Sequence, residues 1–247
     1  MKDANKLSGE RMVRRASKII EGATADGRNS LLEYEAEELA RLYKMPVVEG
    51  ALAKTEKEAL AVSKRIGFPV VMKIVSPDIV HKTDAGGVIV NIVSSSGSRE
   101  AYRKILQSVK RVNRKADVRG IYVQKMAPKS HEFVVGATRD PQFGPTVMFG
   151  LGGIYVELFK DVSFRLAPVS REDALSMMRE TKSSKILDGF RGEKPLDRQN
   201  AARVVQTIGQ IMTDLPQVDS IDVNPLFIYP RGVLATDVRI ILSFPHA

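Results

Sequence analysis

The sequence predicts an α+β protein of mixed helices and strands, built as two subdomains with a cleft between them. Three observations lead there. Apolar runs of strand length alternate with amphipathic runs of helix length. These runs gather into two blocks, about 46–120 and 121–247. A chain of 247 residues is long enough for one large domain or two small ones.

The elements follow in order. Residues 1–29 read as a basic, loosely attached arm with a helix near 11–21. SLLEYEAEELARLY starts a helix: Ser30 and Glu33 have capping-box spacing, and Leu32, Ala36, Leu39 and Tyr43 share one face. Val47-Val48 is an extended segment. In TEKEALAVSKRIG, Thr55 and Glu58 repeat the box and Gly67 ends the helix. FPVVMKI (68–74) is apolar on both faces and predicts a central strand, and VIVNIV (88–93) predicts another. SREAYRKILQSVKRVN is an amphipathic helix with Tyr102, Ile105, Val109 and Val112 on its stripe. GIYVQKM (120–126) and HEFVVGAT (131–138) predict strands on either side of the turn PKS. TVMF (146–149) and SFRLAPV (163–169) add two more. Ser170, with Asp173 three residues on, opens a helix, and a long helix covers about 198–214. The chain closes on a hairpin: SIDVNPLFI, the turn YPRG, then VLATDVRIIL.

Composition narrows the classes. Apolar residues at 43% and charged residues at 27% are ordinary for a globular protein. No run approaches the ~20 apolar residues of a membrane span, and the first fifteen residues lack the apolar core of a signal peptide. Without cysteine there is no disulfide framework and no thiolate metal site, which fits a cytoplasmic protein. The net charge of +9 suits either nucleic acid or a basic surface facing anionic phosphates. Aromatic residues at 6%, no tryptophan, and no basic–aromatic interleaving favour the second, so no nucleic-acid partner is expected.

The hairpin carries a geometric argument. If 229–232 form a tight turn, Ile228 faces Val233, Asn224 faces Asp237 and Asp222 faces Arg239. Alternation then puts Asp222, Asn224, Asp237 and Arg239 on one face and Val223 and Val238 on the other. Directly opposed Cβ atoms lie about 4.5–5.5 Å apart, a spacing that suits two oxygen ligands on one hard cation. The plain alternative is a solvent-facing strand with an ordinary Asp–Arg pair.

The stretch IVSPDIVHKTDAGGV (74–88) carries the chemistry. Lys73 interrupts an apolar strand, where its ammonium must reach water or an anion such as a phosphate. Gly86-Gly87 would let backbone N–H groups approach a ligand, or would simply make a turn. His81, one of three histidines, is either a surface histidine or a nucleophile able to carry a phosphoryl group. Neither G-x-x-x-x-G-K-[ST] nor G-x-G-x-x-G is present, and FGLGGIYVE is only superficially like them. His131-Glu132 has no second histidine at zincin spacing.

Together these pieces resemble an ATP-grasp module. From about residue 30 to 242 the chain is similar to the small β subunit of archaeal-type ADP-forming acetyl-CoA synthetase. The carrying segments are FPVVMKIVSPDIVHKTDAGGV, DPQFGPTVMFGLGGIYVELFKDVSFRLAPV, GFRGEKP and SIDVNPLFI…ATDVRIIL. The resemblance implies an enzyme subunit that makes ATP from ADP, phosphate and an acyl-CoA, releasing acid and CoA. It also implies a partner α subunit that holds CoA and forms the acyl phosphate, in an α2β2 assembly. The HKTD histidine, His81, would sit on a mobile loop and deliver the phosphoryl group to ADP. Lys73 would hold nucleotide phosphate, Gln124 and the backbone near Met126 the base, Glu132 the ribose hydroxyls, and Asn224 and Asp237 Mg2+. Arg165 and Arg191 are either phosphate contacts or structural and interface residues, while Gly150 to Gly153 shape a turn. His131 and Val238 depart from the family pattern beside two of these positions without removing a ligand. A succinyl-CoA synthetase β subunit is the nearest rival, and the HKTD histidine argues against it.

Overall fold

The computed structural model describes residues 2–79, 81–153 and 161–243. Residues 154–160, within one of the segments that carry the family resemblance, lie outside the described residues. The helices are α1 (Lys2–Ala25), α2 (Glu33–Leu42), α3 (Glu56–Ile66), α4 (Ser95–Val112), α5 (Arg171–Glu180), α6 (Ser184–Leu187) and α7 (Arg198–Asp214). The strands are β1 (Gly50–Ala53), β2 (Val70–Val75), β3 (Val88–Ile92), β4 (Gly120–Lys125), β5 (His131–Asp140), β6 (Gly144–Leu151), β7 (Val162–Leu166), β8 (Val218–Ile228), β9 (Val233–Ala235) and β10 (Val238–Leu242). The chain divides into two compact units: Leu32–Tyr34 with Val48–Pro128, and Met1–Leu31 with Glu35–Val47 and Lys129–Ala247.

The first unit is a four-stranded antiparallel sheet in the order β1-β4-β2-β3, with α3 and α4 packed on it. Val70, Met72, Ile74, Ile121 and Val123 are buried in one core with Ile105 and Val109 of α4. Thr55 accepts from the Glu58 amide at the start of α3, while the Glu58 carboxylate reaches back to the Lys54 amide. The α4 stripe holds for Tyr102, Ile105 and Val109 but not for Val112, which is 63% exposed because the helix ends there. The division of subdomains near residue 120 needs correction. Strand β4 sits at the heart of this first sheet, between β1 and β2, so the chain changes unit after residue 128. The two strands flanking the PKS turn therefore belong to different sheets, and Ser130 Oγ donates to Ile228 O rather than closing a hairpin.

The second unit has an antiparallel sheet in the order β10-β8-β5-β6-β7, with β9 also on β8. Helix α7 covers it, laying Val204, Val205, Ile208, Ile211 and Met212 against β5, β6 and β8. Asp197 caps α7 by accepting from the Asn200 amide, and Ser170 and Asp173 make the full reciprocal box on α5.

The residues before 30 are not a loose arm. Helix α1 buries Ala16, Ile20 and Ala23 in the core of this unit, along an i, i+4, i+7 stripe hidden among basic residues. Nor do Ser30 and Glu33 cap α2. The helix starts at Glu33 itself, Ser30 bridges to Ile241 of β10, and the Glu33 carboxylate is used elsewhere. The helix face predicted for α2 is buried as expected, at Ala36, Leu39 and Tyr43.

Candidate functional site

Strand β2 places Lys73 in its middle, paired with Tyr122 of β4 on one side and Val88 of β3 on the other. Its ammonium does meet an anion, and that anion belongs to the protein. Lys73 Nζ donates to Glu33 Oε1 at 2.5 Å, and Lys82 Nζ donates to Glu33 Oε2 at 2.5 Å. Glu33 is almost fully enclosed, with 2% of its side chain exposed. Burial alone would push its carboxyl up. The charges of Lys73 and Lys82 and their two hydrogen bonds overturn that and hold it below the ordinary carboxylate value.

Lys82 is the residue after His81, on the turn that returns the chain to β3. His81 itself is exposed, with its carbonyl accepting from the Ala85 amide at 3.2 Å. The glycine pair serves the turn rather than a ligand. The Gly86 amide donates to Thr83 O and the Gly87 amide to Lys82 O at 2.7 Å. Gly86 has φ +63°, and a Cβ on Gly87 would come within 2.5 Å of Ile74 Cγ2. The pair is there because the turn lies hard against β2.

Gln124 lies on the same sheet, opposite Val71 and Gly50, and is buried. Gly50 makes room for that sheet's packing, since a Cβ there would strike the Tyr122 ring at 2.5 Å. The Met126 amide donates to Pro69 O at 3.1 Å, so that amide is not a free donor for a base.

In the other unit, the predicted hairpin register is observed. Ile228 pairs with Val233, Val223 with Val238 and Asp222 with Arg239. The Asn224 amide donates to Asp237 O at 3.3 Å, which brings the two candidate metal ligands to the same level of the hairpin. Loss of hydration and then the Asp237 charge push the Asp222 carboxyl up, with Arg239 opposing. Among the described residues no three His, Cys, Asp or Glu side chains converge as a cage. One carboxylate and one amide oxygen fit Mg2+ chemistry, in which water and phosphate oxygens complete the shell.

Glu132 is exposed at the start of β5, opposite Phe227. Gly153 was read only as part of a turn, yet it stands between two site candidates. A Cβ there would lie 2.8 Å from Glu132 Oε2, and its amide approaches Asn224 Oδ1 at 3.5 Å. Gly152 packs so closely on the β5 backbone that a Cβ would come within 2.7 Å of Phe133 C.

Two other candidates make contacts within the protein. Arg165 forms a two-pronged ion pair with Glu180 and also donates to Phe164 O. Arg191 lies on an exposed turn with φ +53° and its guanidinium over the Phe190 ring at 5.3 Å. His131, the departure beside Glu132, pairs with Glu193 at 2.7 Å. Glu33 was missed as a site residue. Its helix-start position reads as a cap, and its partners lie 40 and 49 residues away in the chain.

Comparison with known proteins bears on this geometry. An ATP-grasp domain model matches residues 22–242, so the class is an ATP-grasp protein. The I subunit β of ADP-forming acetate–CoA ligase from Pyrococcus furiosus is 50% identical over 93% of this chain and 99% of that one. The II subunit β from the same organism is 40% identical over 92% and 98%. Longer relatives also match, and there the chain spans about a third of the relative's length, as in the 40% identical 4-hydroxybutyrate–CoA ligase of Nitrosopumilus maritimus. The solved acetyl-CoA synthetase 1 of Ca. Korarchaeum cryptofilum, with coenzyme A and Ca-AMPCP, superposes with a TM-score of 0.89 at 49% identity, covering 92% of this chain and 99% of that one. Another structure of that protein holds coenzyme A and Mg-AMPPCP, its phosphohistidine segment pointing towards the nucleotide-binding site. The chain belongs to the β subunits of the ADP-forming acetate–CoA ligases, enzymes of the ADP-forming ligase class. No described helix is long and apolar enough to cross a membrane.

Proposed function

We propose that this subunit hands a phosphoryl group to ADP through His81, working with an α subunit that holds CoA and the acyl group. The observation that carries the reading is the placement of His81. It is an exposed imidazole on a turn pinned one residue later by Lys82, on the sheet that also presents Lys73. A neutral imidazole nitrogen attacks phosphorus and forms an N–P bond as the donor's bond breaks. A β-phosphate oxygen of ADP then attacks, the N–P bond breaks, and the imidazole leaves. Such transfers need positioning and charge neutralisation more than covalent help from the protein.

In this reading Lys73 turns from Glu33 to nucleotide phosphate, Gln124 and the Met126 carbonyl meet the base, and Glu132 accepts from the ribose hydroxyls. Asn224 and Asp237 would hold Mg2+, which neutralises phosphate charge when bound. The relatives' names and bound ligands support the partner and the nucleotide. The complete reaction makes ATP, acetate and CoA from acetyl-CoA, ADP and phosphate, in an α2β2 assembly that we place in the cytoplasm.

The test is labelling with γ-labelled ATP and Mg2+, comparing wild type with His81→Ala. An acid-labile, base-stable label should appear only in wild type. Equal labelling of both proteins would remove His81 as carrier. If neither labels alone, the experiment is repeated with the α subunit, where the same difference is expected.

A further inference from the structure

Glu33 is buried and charged, and the phosphoryl-transfer reading leaves it unused. Each of its carboxylate oxygens takes one ammonium, from Lys73 on β2 and from Lys82 on the His81 turn. We propose that Glu33 is a positioning residue: its carboxylate anchors the His81 turn through Lys82 and, by sharing itself with Lys73, sets release of that turn against phosphate binding at Lys73. The coupling half rests on the roles proposed above for His81 and Lys73. The anchoring half does not.

A carboxylate this buried is costly to leave unpaired, so it must keep at least one lysine. With two lysines and one carboxylate, only one lysine is released at a time. When Lys73 turns to a phosphate, Lys82 has to stay, and the turn is held with His81 in place. When the turn lifts and takes Lys82 with it, Lys73 has to stay on Glu33 and binds phosphate less well. Such a coupling is reciprocal: phosphate at Lys73 steadies the turn by the same factor that the seated turn favours phosphate.

Three amides report the turn: Ala85 bonded to His81 O, Gly86 to Thr83 O, and Gly87 to Lys82 O. Their hydrogen exchange in the full chain is the measurement, for wild type, Glu33→Gln, Lys82→Gln and Lys73→Gln. Hydrogen bonds to charged groups are strong enough that losing the anchor should speed these amides by about ten- to a hundred-fold in Glu33→Gln and Lys82→Gln, with α4 unchanged. Lys73→Gln should leave the turn as protected as wild type or more so. Mg·ADP should slow the three amides in wild type and lose that effect in Glu33→Gln.

Unchanged exchange in both Glu33→Gln and Lys82→Gln would overturn the anchor. If Glu33→Gln exchanges faster everywhere, its fold has failed and Lys82→Gln decides, because Lys82 is 27% exposed and its loss leaves Glu33 paired with Lys73. If Mg·ADP raises the melting temperature but leaves the wild-type turn unchanged, the coupling is wrong. A His81→Ala result against phosphohistidine, with the exchange pattern as expected, removes the carrier and leaves the anchor standing.

Discussion

The turn at Lys82 and the hairpin at Asp237 are built on opposite charge balances. Around Glu33, two lysines meet one buried carboxylate. On the hairpin, the Asp237 charge pushes the Asp222 carboxyl up and Arg239 opposes it. In the proposed reading, the lysines suit an incoming phosphate and the hairpin carboxylates an incoming divalent cation. In each region the informative feature is the cluster of like charge, and a neatly matched pair says less. Arg165 and Glu180 pair with each other by two hydrogen bonds.

The largest expected effect comes from stripping the Glu33 cluster of both cations. The double variant Lys73→Met/Lys82→Met leaves a buried charge with neither of these partners and should lose about 3–5 kcal/mol in urea unfolding. Each single variant should lose far less, since one lysine still neutralises Glu33. Additive single and double losses would show that the lysines do not share the carboxylate.

The hairpin should break differently. Asp237→Ala should fold normally but lose the Mg2+-dependent part of thermal protection by ADP. In wild type that protection is worth about 2.7 kcal/mol when ligand is a hundredfold above its dissociation constant. If Asp237→Ala keeps the full Mg2+ effect, the metal lies elsewhere.

Acidity sharpens the contrast next. The Glu33 pKa is lowered in the fold, so its stabilisation is fully present above the ordinary value of 4.5 and is lost as pH falls through the lower folded value. The stability of wild type relative to Glu33→Gln should therefore shrink on acidification below pH 4.5, at about 1.4 kcal/mol per pH unit over that interval. A flat difference would mean the carboxyl is not held down by the lysines. Least affected should be Glu180→Gln, an exposed pair whose loss should leave the urea midpoint where it was; a clear drop would show that matched surface pairs matter more than the comparison allows.

Much of the fold was legible because period and caps act locally. Helix α7 was placed at its observed limits, and the hairpin register came from counting across a four-residue turn. The polar turn before β3 was legible too, because a histidine, a lysine and two glycines stand together in HKTDAGG. Helix α1 was underread because Ala16, Ile20 and Ala23 are a thin stripe in a basic segment, and small residues give a weak pattern. The unit boundary was misplaced because strand pairing is not local. Strand β4 follows β3 in sequence but pairs with β1 and β2.

By itself the sequence determined the kinds of element, their order, the hairpin partners of Asn224, and the presence of a histidine on a polar turn. Only the tertiary structure decided what Lys73 touches. It brought Glu33, read as a cap, into contact with lysines 40 and 49 residues away, and it spent the Gly86 and Gly87 amides inside their own turn. The physical reason is range. Periodicity and capping are set by neighbours within a few positions, whereas a buried charge is satisfied by whatever the fold brings beside it.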